Sequence, residues 1–203
     1  MPRVTPPSDD PSFDTPTIPS VIRAPSMADY LGVIARAVFQ AGVSWAQIAK
    51  HWNAYRSAFA DFDVVTVAAY DDDAIERVLA TPGVLRMRRK VVATIANARA
   101  LLSVEREYGS FDRYVASFAG YIELAADMKR RFSFVGDMSV WYVLFRTGNA
   151  VPPFESWVQT IPGEHPRMRE MVERAREGLG SVLPPAAGAA RAARDRVPKK
   201  PRS

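Results

Sequence analysis

Helix-start signals recur every ten to twenty residues along this chain, and few stretches alternate apolar and polar side chains at period two. A chain punctuated in this way has little to build a sheet from, so the expected fold class is all-α. Ser26-Met27-Ala28-Asp29 has the form of a capping box, with Asp in place of the usual Glu or Gln. It precedes Tyr30, Leu31, Val33, Ile34 and Val38, an apolar face at helical spacing. Gly42 interrupts, and Ser44-Trp45-Ala46-Gln47 is a second such box, opening a helix to about Phe59. Asp63 is placed to cap a short helix over Val64 to Ala69, and Asp73-Ala74-Ile75-Glu76 starts another that stops before Thr81-Pro82-Gly83. A long helix is expected from about Arg88 to Glu107, ended by Gly109. Ser110 or Asp112 opens the next, which runs to Phe118. Further helices are expected over about 122–131, 137–147, 154–160 and 166–178, and Pro184-Pro185 closes the domain. The expected domain is built from eight or nine of these short helices, with no internal repeat.

Composition limits what this domain can do. Apolar residues make up 48% of the 203, enough for a sizeable core. Cysteine is absent, which excludes disulfides, thiolate nucleophiles and cysteine-ligated metals. No apolar run approaches the length of a membrane span. Residues 1–24 hold six prolines and no hydrophobic signal region, and are expected to be a disordered arm ahead of a helical domain over 25–184. The expected setting is the cytoplasm, or the nucleoid in a bacterium.

The net charge of +5 belongs to the end of the chain. Residues 185–203 carry six cations (Arg191, Arg194, Arg196, Lys199, Lys200, Arg202) and one anion (Asp195), leaving residues 1–184 neutral overall. This segment reads either as a solvated disordered tail or as a non-specific anchor for polyanions.

Three segments stand out. The first is Gln40-Ala41-Gly42-Val43-Ser44-Trp45, followed by Tyr55-Arg56 and Phe59. The second is Gly83-Val84-Leu85-Arg86-Met87-Arg88-Arg89-Lys90, leading into Ile95-Ala96-Asn97-Ala98-Arg99-Ala100. The third is Arg131-Phe132-Ser133-Phe134-Val135-Gly136, where a polar helix enters a tight turn and a new helix begins at Asp137. Glycine at the end of that turn is expected to supply a positive φ. The unpaired N–H groups of the new helix suit a phosphate, and the alternative is an ordinary helix–turn–helix corner.

In this order the segments resemble the 3-methyladenine DNA glycosylase I family of the helix-hairpin-helix glycosylase superfamily, over about residues 27–148. The resemblance implies an all-α helix-hairpin-helix fold. It also implies a base-excision repair enzyme that hydrolyses the N-glycosidic bond of a damaged, alkylated purine flipped out of double-stranded DNA. Trp45 matches the tryptophan on which the family stacks that base, with Phe39 and Gln40 beside it. Phe134, Val135 and Gly136 match the hairpin that grips the backbone. Arg131, Arg88 and Lys90 are candidate phosphate contacts, though a solvated face accounts equally well for Arg88 to Lys90. On spacing alone, Trp45 reads equally as a core residue.

The chain also departs from the family. The position of the family's base-reading glutamate is Ala37, and its upstream Tyr-His-Asp-x-Glu-Trp-Gly stretch has no counterpart. Its zinc ligands are missing, since the histidines here are His51 and His165 and there is no cysteine, so neither metal nor cofactor is expected. Related superfamily members place a catalytic Asp about twenty residues beyond the hairpin glycine, and Glu155 falls within a residue of that point. It reads either as a catalytic carboxylate or as a first-turn acid favoured by the helix dipole. Asp137 is the second candidate acid and also a helix cap. The expected protein is a monomeric glycosylase, with a catalytically inactive DNA-binding module of the same fold as the alternative.

Overall fold

A computed structural model describes residues 21–22 and 25–164. The expected arm, the 166–178 helix, the closing prolines, the basic tail and His165 lie outside the described residues. Among those described there are ten α-helices, one 3-10 turn and no strand. They are α1 (Met27–Gln40), α2 (Trp45–Lys50), α3 (Trp52–Ala58), α4 (Val64–Ala68), α5 (Asp72–Ala80) and α6 (Arg88–Tyr108). The rest are α7 (Phe111–Ala116), α8 (Tyr121–Arg131), α9 (Asp137–Arg146) and α10 (Phe154–Val158). The all-α reading therefore holds.

The caps decide where several helices begin. Ser26 and Asp29 close a reciprocal box, with Ser26 Oγ accepting from the Asp29 amide and the Asp29 carboxylate accepting from the Ser26 amide at 2.8 Å. Asp63 accepts from the Thr66 amide at 2.8 Å, and Ser110 from that of Arg113 at 3.2 Å. Two expected boxes are absent. Ser44 makes no side-chain cap bond, and α5 is capped two residues earlier than expected, by Asp71 accepting from the Ala74 amide at 2.9 Å. The helix expected through Phe59 is two helices, broken at His51.

That break turns an aromatic cluster toward α1. Trp52 stacks on Tyr55 and Phe62 with ring centres 5.7 and 5.3 Å apart, and the Arg36 guanidinium lies 4.8 Å above the indole. The 3-10 turn Ala60–Phe62 delivers Phe62 to this stack by running left-handed through three non-glycine residues, with φ of 50°, 52° and 63°. Burial of Phe62 and the Arg56–Asp61 ion pair, 2.9 Å, hold a backbone that L-residues resist.

Helix α6 runs through the centre and packs on α1, α4, α5 and α7, while α9 lies against α1 and α8. Helix α9 also carries a second aromatic group. There Trp141 stacks on Phe145 and on Trp157, and its indole N–H donates to the Pro152 carbonyl at 3.1 Å. Among the described residues no helix is long and apolar enough to cross a membrane.

The α5–α6 connection depends on Gly83. Its φ is +89°, and a Cβ there would sit 3.0 Å from His51 Nδ1 and 3.2 Å from Ala54 Cβ. The imidazole can turn aside, but a methyl fixed on α3 cannot. Gly83→Ala is expected to lower stability by about 1–3 kcal/mol, read by urea denaturation. An unchanged midpoint would show that the loop relaxes freely.

Candidate functional site

Two buried polar side chains of α6 organise the site. Lys90, Thr94 and Asn97 stand at i, i+4 and i+7, one stripe of the helix, and all three are buried. The Lys90 ammonium donates to the Phe39 carbonyl at 3.0 Å and to the Ala41 carbonyl at 2.5 Å. It ties down the end of α1 where the chain turns through Gly42, whose φ is +72°. Burial pushes the amine below its ordinary pKa, and the two carbonyls take the place of water around it. Two turns along, the Asn97 amide accepts from the Ser133 N–H at 2.6 Å and donates to the Ser133 carbonyl at 3.1 Å. One helix thereby fixes both the Gln40–Trp45 loop and the 133–136 hairpin. A further link joins the first two segments, since Tyr55 Oη accepts from the Leu85 amide at 3.1 Å.

The hairpin differs from its expected form. Gly136 is not the residue with positive φ. It is extended, with φ −99° and ψ −175°, and Phe134 takes the left-handed conformation at φ +59°. With Ser133 held on both sides by Asn97 and Val135 buried, the chain must reverse at the residue between them. The Phe134 ring is half-exposed, 5.6 Å beneath the Arg89 guanidinium. Gly136 is the N-cap of α9 and makes no side-chain cap bond, so the first-turn amides of Asp137, Met138 and Ser139 have no helical acceptor. Asp137 leaves those amides open as well: it pairs with Lys129 at 2.6 Å, so it is neither a cap nor an uncompensated charge.

The residues expected in the base wall stand in different surroundings. Trp45, at the first position of α2, is partly buried and faces Tyr142 of α9 with ring centres 6.4 Å apart. Gln40 is buried at the last turn of α1, and partly buried Ala37 packs against the core one turn earlier. Phe39 belongs to the core instead of the wall. It is fully buried and meets Tyr55 edge-on at 4.6 Å, because it stands about 100° around α1 from Gln40. Glu155 sits in the first turn of α10, which rests on Trp141 of α9, whereas Trp45 approaches that helix at Tyr142.

The three basic candidates are engaged inside the protein. Lys90 is buried, as described. Arg88 pairs with Asp72 at 2.9 Å and with Glu76. Arg131 bonds Glu107 at 2.8 Å and Asp127 at 2.6 Å, and lies 5.6 Å from the rings of Tyr108 and Tyr114. The charges of Arg88 and Arg131 are spent on these carboxylates, and helical periodicity alone could not reveal that pairing. Sequence reasoning also missed Asn97, Tyr142 and Arg146. A buried asparagine inside a helix is the one signal that would have marked Asn97.

Three comparisons with known proteins bear on this arrangement. The methyladenine glycosylase family matches residues 32–138, just over half of the chain. DNA-3-methyladenine glycosylase 1 of Escherichia coli (strain K12) is 40% identical over 82 residues, 40% of this chain and 44% of that protein. DNA-3-methyladenine glycosylase of Haemophilus influenzae is 32% identical over 89 residues, 44% of this chain and 48% of that protein. The chain thus spans about half the length of the curated relatives it matches. Among solved structures, 3-methyladenine DNA glycosylase I from Staphylococcus aureus superposes with a TM-score of 0.58 at 25% identity, over 70% of this chain and 87% of that one. Another 3-methyladenine DNA glycosylase I gives a TM-score of 0.54 at 28% identity, over 70% and 90%.

Two measurements follow. Asn97→Ala strands both polar groups of Ser133 and is expected to cost about 1–3 kcal/mol in urea denaturation, with faster amide exchange at 133–136. Unaltered exchange there would remove Asn97 as the clamp. The second concerns Asp127. Burial pushes its carboxyl up, but hydrogen bonds from Tyr114, Arg131 and Arg130 outweigh burial and hold it below its ordinary value. A depressed folded pKa contributes stability above about pH 4, lost as pH falls through the folded value. Asp127→Asn should flatten the acid limb of the stability profile, and an unchanged acid limb would contradict the assignment.

Proposed function

The chain belongs to the methyladenine glycosylase family, and from that premise we propose that it is a base-excision repair glycosylase acting on a damaged, alkylated purine in double-stranded DNA. The observation that carries this reading is Gly136. Its backbone is one any residue adopts, and a Cβ placed on it would meet nothing within 4 Å. The protein's own structure therefore does not require glycine there. What the missing side chain leaves open is the approach to the first-turn amides of α9, and a DNA phosphate is the partner they suit. The Lys129–Asp137 pair supports this, because it neutralises the one carboxylate that would repel such a phosphate.

In this reading Trp45 receives the flipped base, with Gln40 at its edge. A cationic alkylated purine gains about 1–2 kcal/mol from lying over an indole. As the C1′–N9 bond breaks, its electron pair returns to the purine ring and cancels the positive charge. Water adds to C1′ and gives up a proton to solvent, leaving a neutral base and an abasic sugar. A substrate with so good a leaving group needs only modest help from a carboxylate such as Glu155. We infer a monomer working in the cytoplasm.

Gly136→Ala is expected to weaken duplex binding by about 1.5–3 kcal/mol, roughly tenfold or more, through the loss of a charge-assisted hydrogen bond. Its stability should change by less than about 1 kcal/mol, since the poorer cap is offset by the reduced freedom of the unfolded chain. Equal affinity for the two proteins would remove the hairpin from the interface. On alkylated duplex, purified protein should release free purine base. Binding without release would reduce the protein to a DNA-binding module.

A further inference from the structure

Helix α6 opens on a run of cations. Arg88, Arg89 and Lys90 fill its first turn, which holds no acidic residue, at the end of a helix that disfavours positive charge. Arg88 is compensated by Asp72 and Glu76, and Lys90 by the Phe39 and Ala41 carbonyls. Arg89 is exposed, and among the described residues it has no carboxylate partner. Its guanidinium rests instead over the ring of Phe134, 5.6 Å from the centroid.

Folding does not explain Phe134 either. The hairpin requires its left-handed backbone, φ +59°, because Ser133 is clamped and Val135 is buried. It does not require the ring. Glycine or asparagine takes that conformation with less strain, and a side chain 47% exposed adds little to the core. A cation at the unfavourable pole of one helix and an aromatic in a strained backbone therefore meet at one point of the surface.

A guanidinium held by its face on a ring keeps its edges free, and the edges carry the N–H donors. Such a group is preorganised for an oxyanion with two acceptors, which a phosphodiester presents. Its surroundings point to DNA. Phe134 stands two residues ahead of Gly136 and the bare α9 amides, and Lys90, next to Arg89, anchors the loop that leads to Trp45. We propose that Arg89, seated on Phe134, binds a second backbone phosphate of the DNA strand whose first phosphate lies on the α9 amides. Arg89 is thus a duplex-binding residue additional to the hairpin amides, and Phe134 is the residue that positions it. Its neighbours Arg88 and Lys90 take no part. This rests on the glycosylase reading of the hairpin and deepens it.

The test is fluorescence anisotropy of the full-length protein on a short undamaged duplex, between about 50 and about 200 mM salt. Arg89→Gln is expected to weaken binding roughly tenfold at the low-salt end. It should also make the slope of log K against log salt shallower by about 1, the mark of one lost phosphate contact. Arg106→Gln removes the same charge near the other end of α6, about 25 Å away, and should leave affinity and slope unchanged. Arg89→Lys and Phe134→Asn keep the charge, and each should bind more weakly than the wild type with the wild-type slope. Unchanged affinity or slope in Arg89→Gln, an equal loss in Arg106→Gln, or full affinity in Phe134→Asn would overturn the proposal. A fall in Tm of more than about 3 °C in Arg89→Gln would assign the residue to the scaffold and count against it. If Gly136→Ala weakens duplex binding and base is released while Arg89→Gln behaves as wild type, the Arg89 assignment alone is refuted. Absence of duplex binding and of base release in the wild type refutes the parent reading and this one with it.

Discussion

The arrangement of this molecule hangs on a buried polar stripe along one helix. Lys90 and Asn97, two turns apart on α6, hold the loop after α1 and the hairpin before α9 by hydrogen bonds to backbone. Loops carry polar backbone that has to be satisfied wherever they are drawn against a core. A central helix that offers an ammonium to one loop and a carboxamide to the other solves this for both together. It also fixes the distance between them, because α6 is a rigid rod. Trp45 and the open N-terminus of α9 are thus placed relative to each other by α6 as well as by the Trp45–Tyr142 contact.

Helix α9 divides the neighbouring functions by face. Trp141 anchors α10 through aromatic contacts with Phe154 and Trp157, and Tyr142, further round, faces Trp45. Its N-terminus is left bare by Gly136 while Lys129 neutralises Asp137 beside it. One short helix thereby presents bare amides at one end and, at the other, the buried guanidinium of Arg146, whose Nε and Nη1 have no partner among the described residues. Arg131 is held between Asp127 and Glu107, and Arg88 between Asp72 and Glu76.

The helical class, most helix spans and the three segments were legible in the chain itself. Capping and apolar periodicity are local, acting over three or four residues, and Ser26, Asp63, Ser110 and Gly109 do what their positions imply. The failures were failures of context. Ser44 has the right neighbours for a capping box and does not form one. Gly136 was expected to bend the hairpin, yet Phe134 does so, because Asn97, 36 residues away, pins Ser133. Phe39 was expected in the base wall beside Gln40, but adjacent residues on a helix stand about 100° apart, and Phe39 turned inward.

The sequence by itself determined that this would be an all-helical chain with a tryptophan after a glycine break and a glycine before a new helix. These follow from short-range sterics and hydrogen bonding. Only the tertiary structure decided which charges are spent and which are held in reserve. Lys90, Arg88, Arg131 and Arg146 are alike in sequence as basic residues on helices. Three are bound by carbonyls or carboxylates brought from elsewhere in the chain, and the fourth is buried with no such partner among the described residues. Charge pairing is a long-range property of the packed state, so no periodicity in the sequence encodes it.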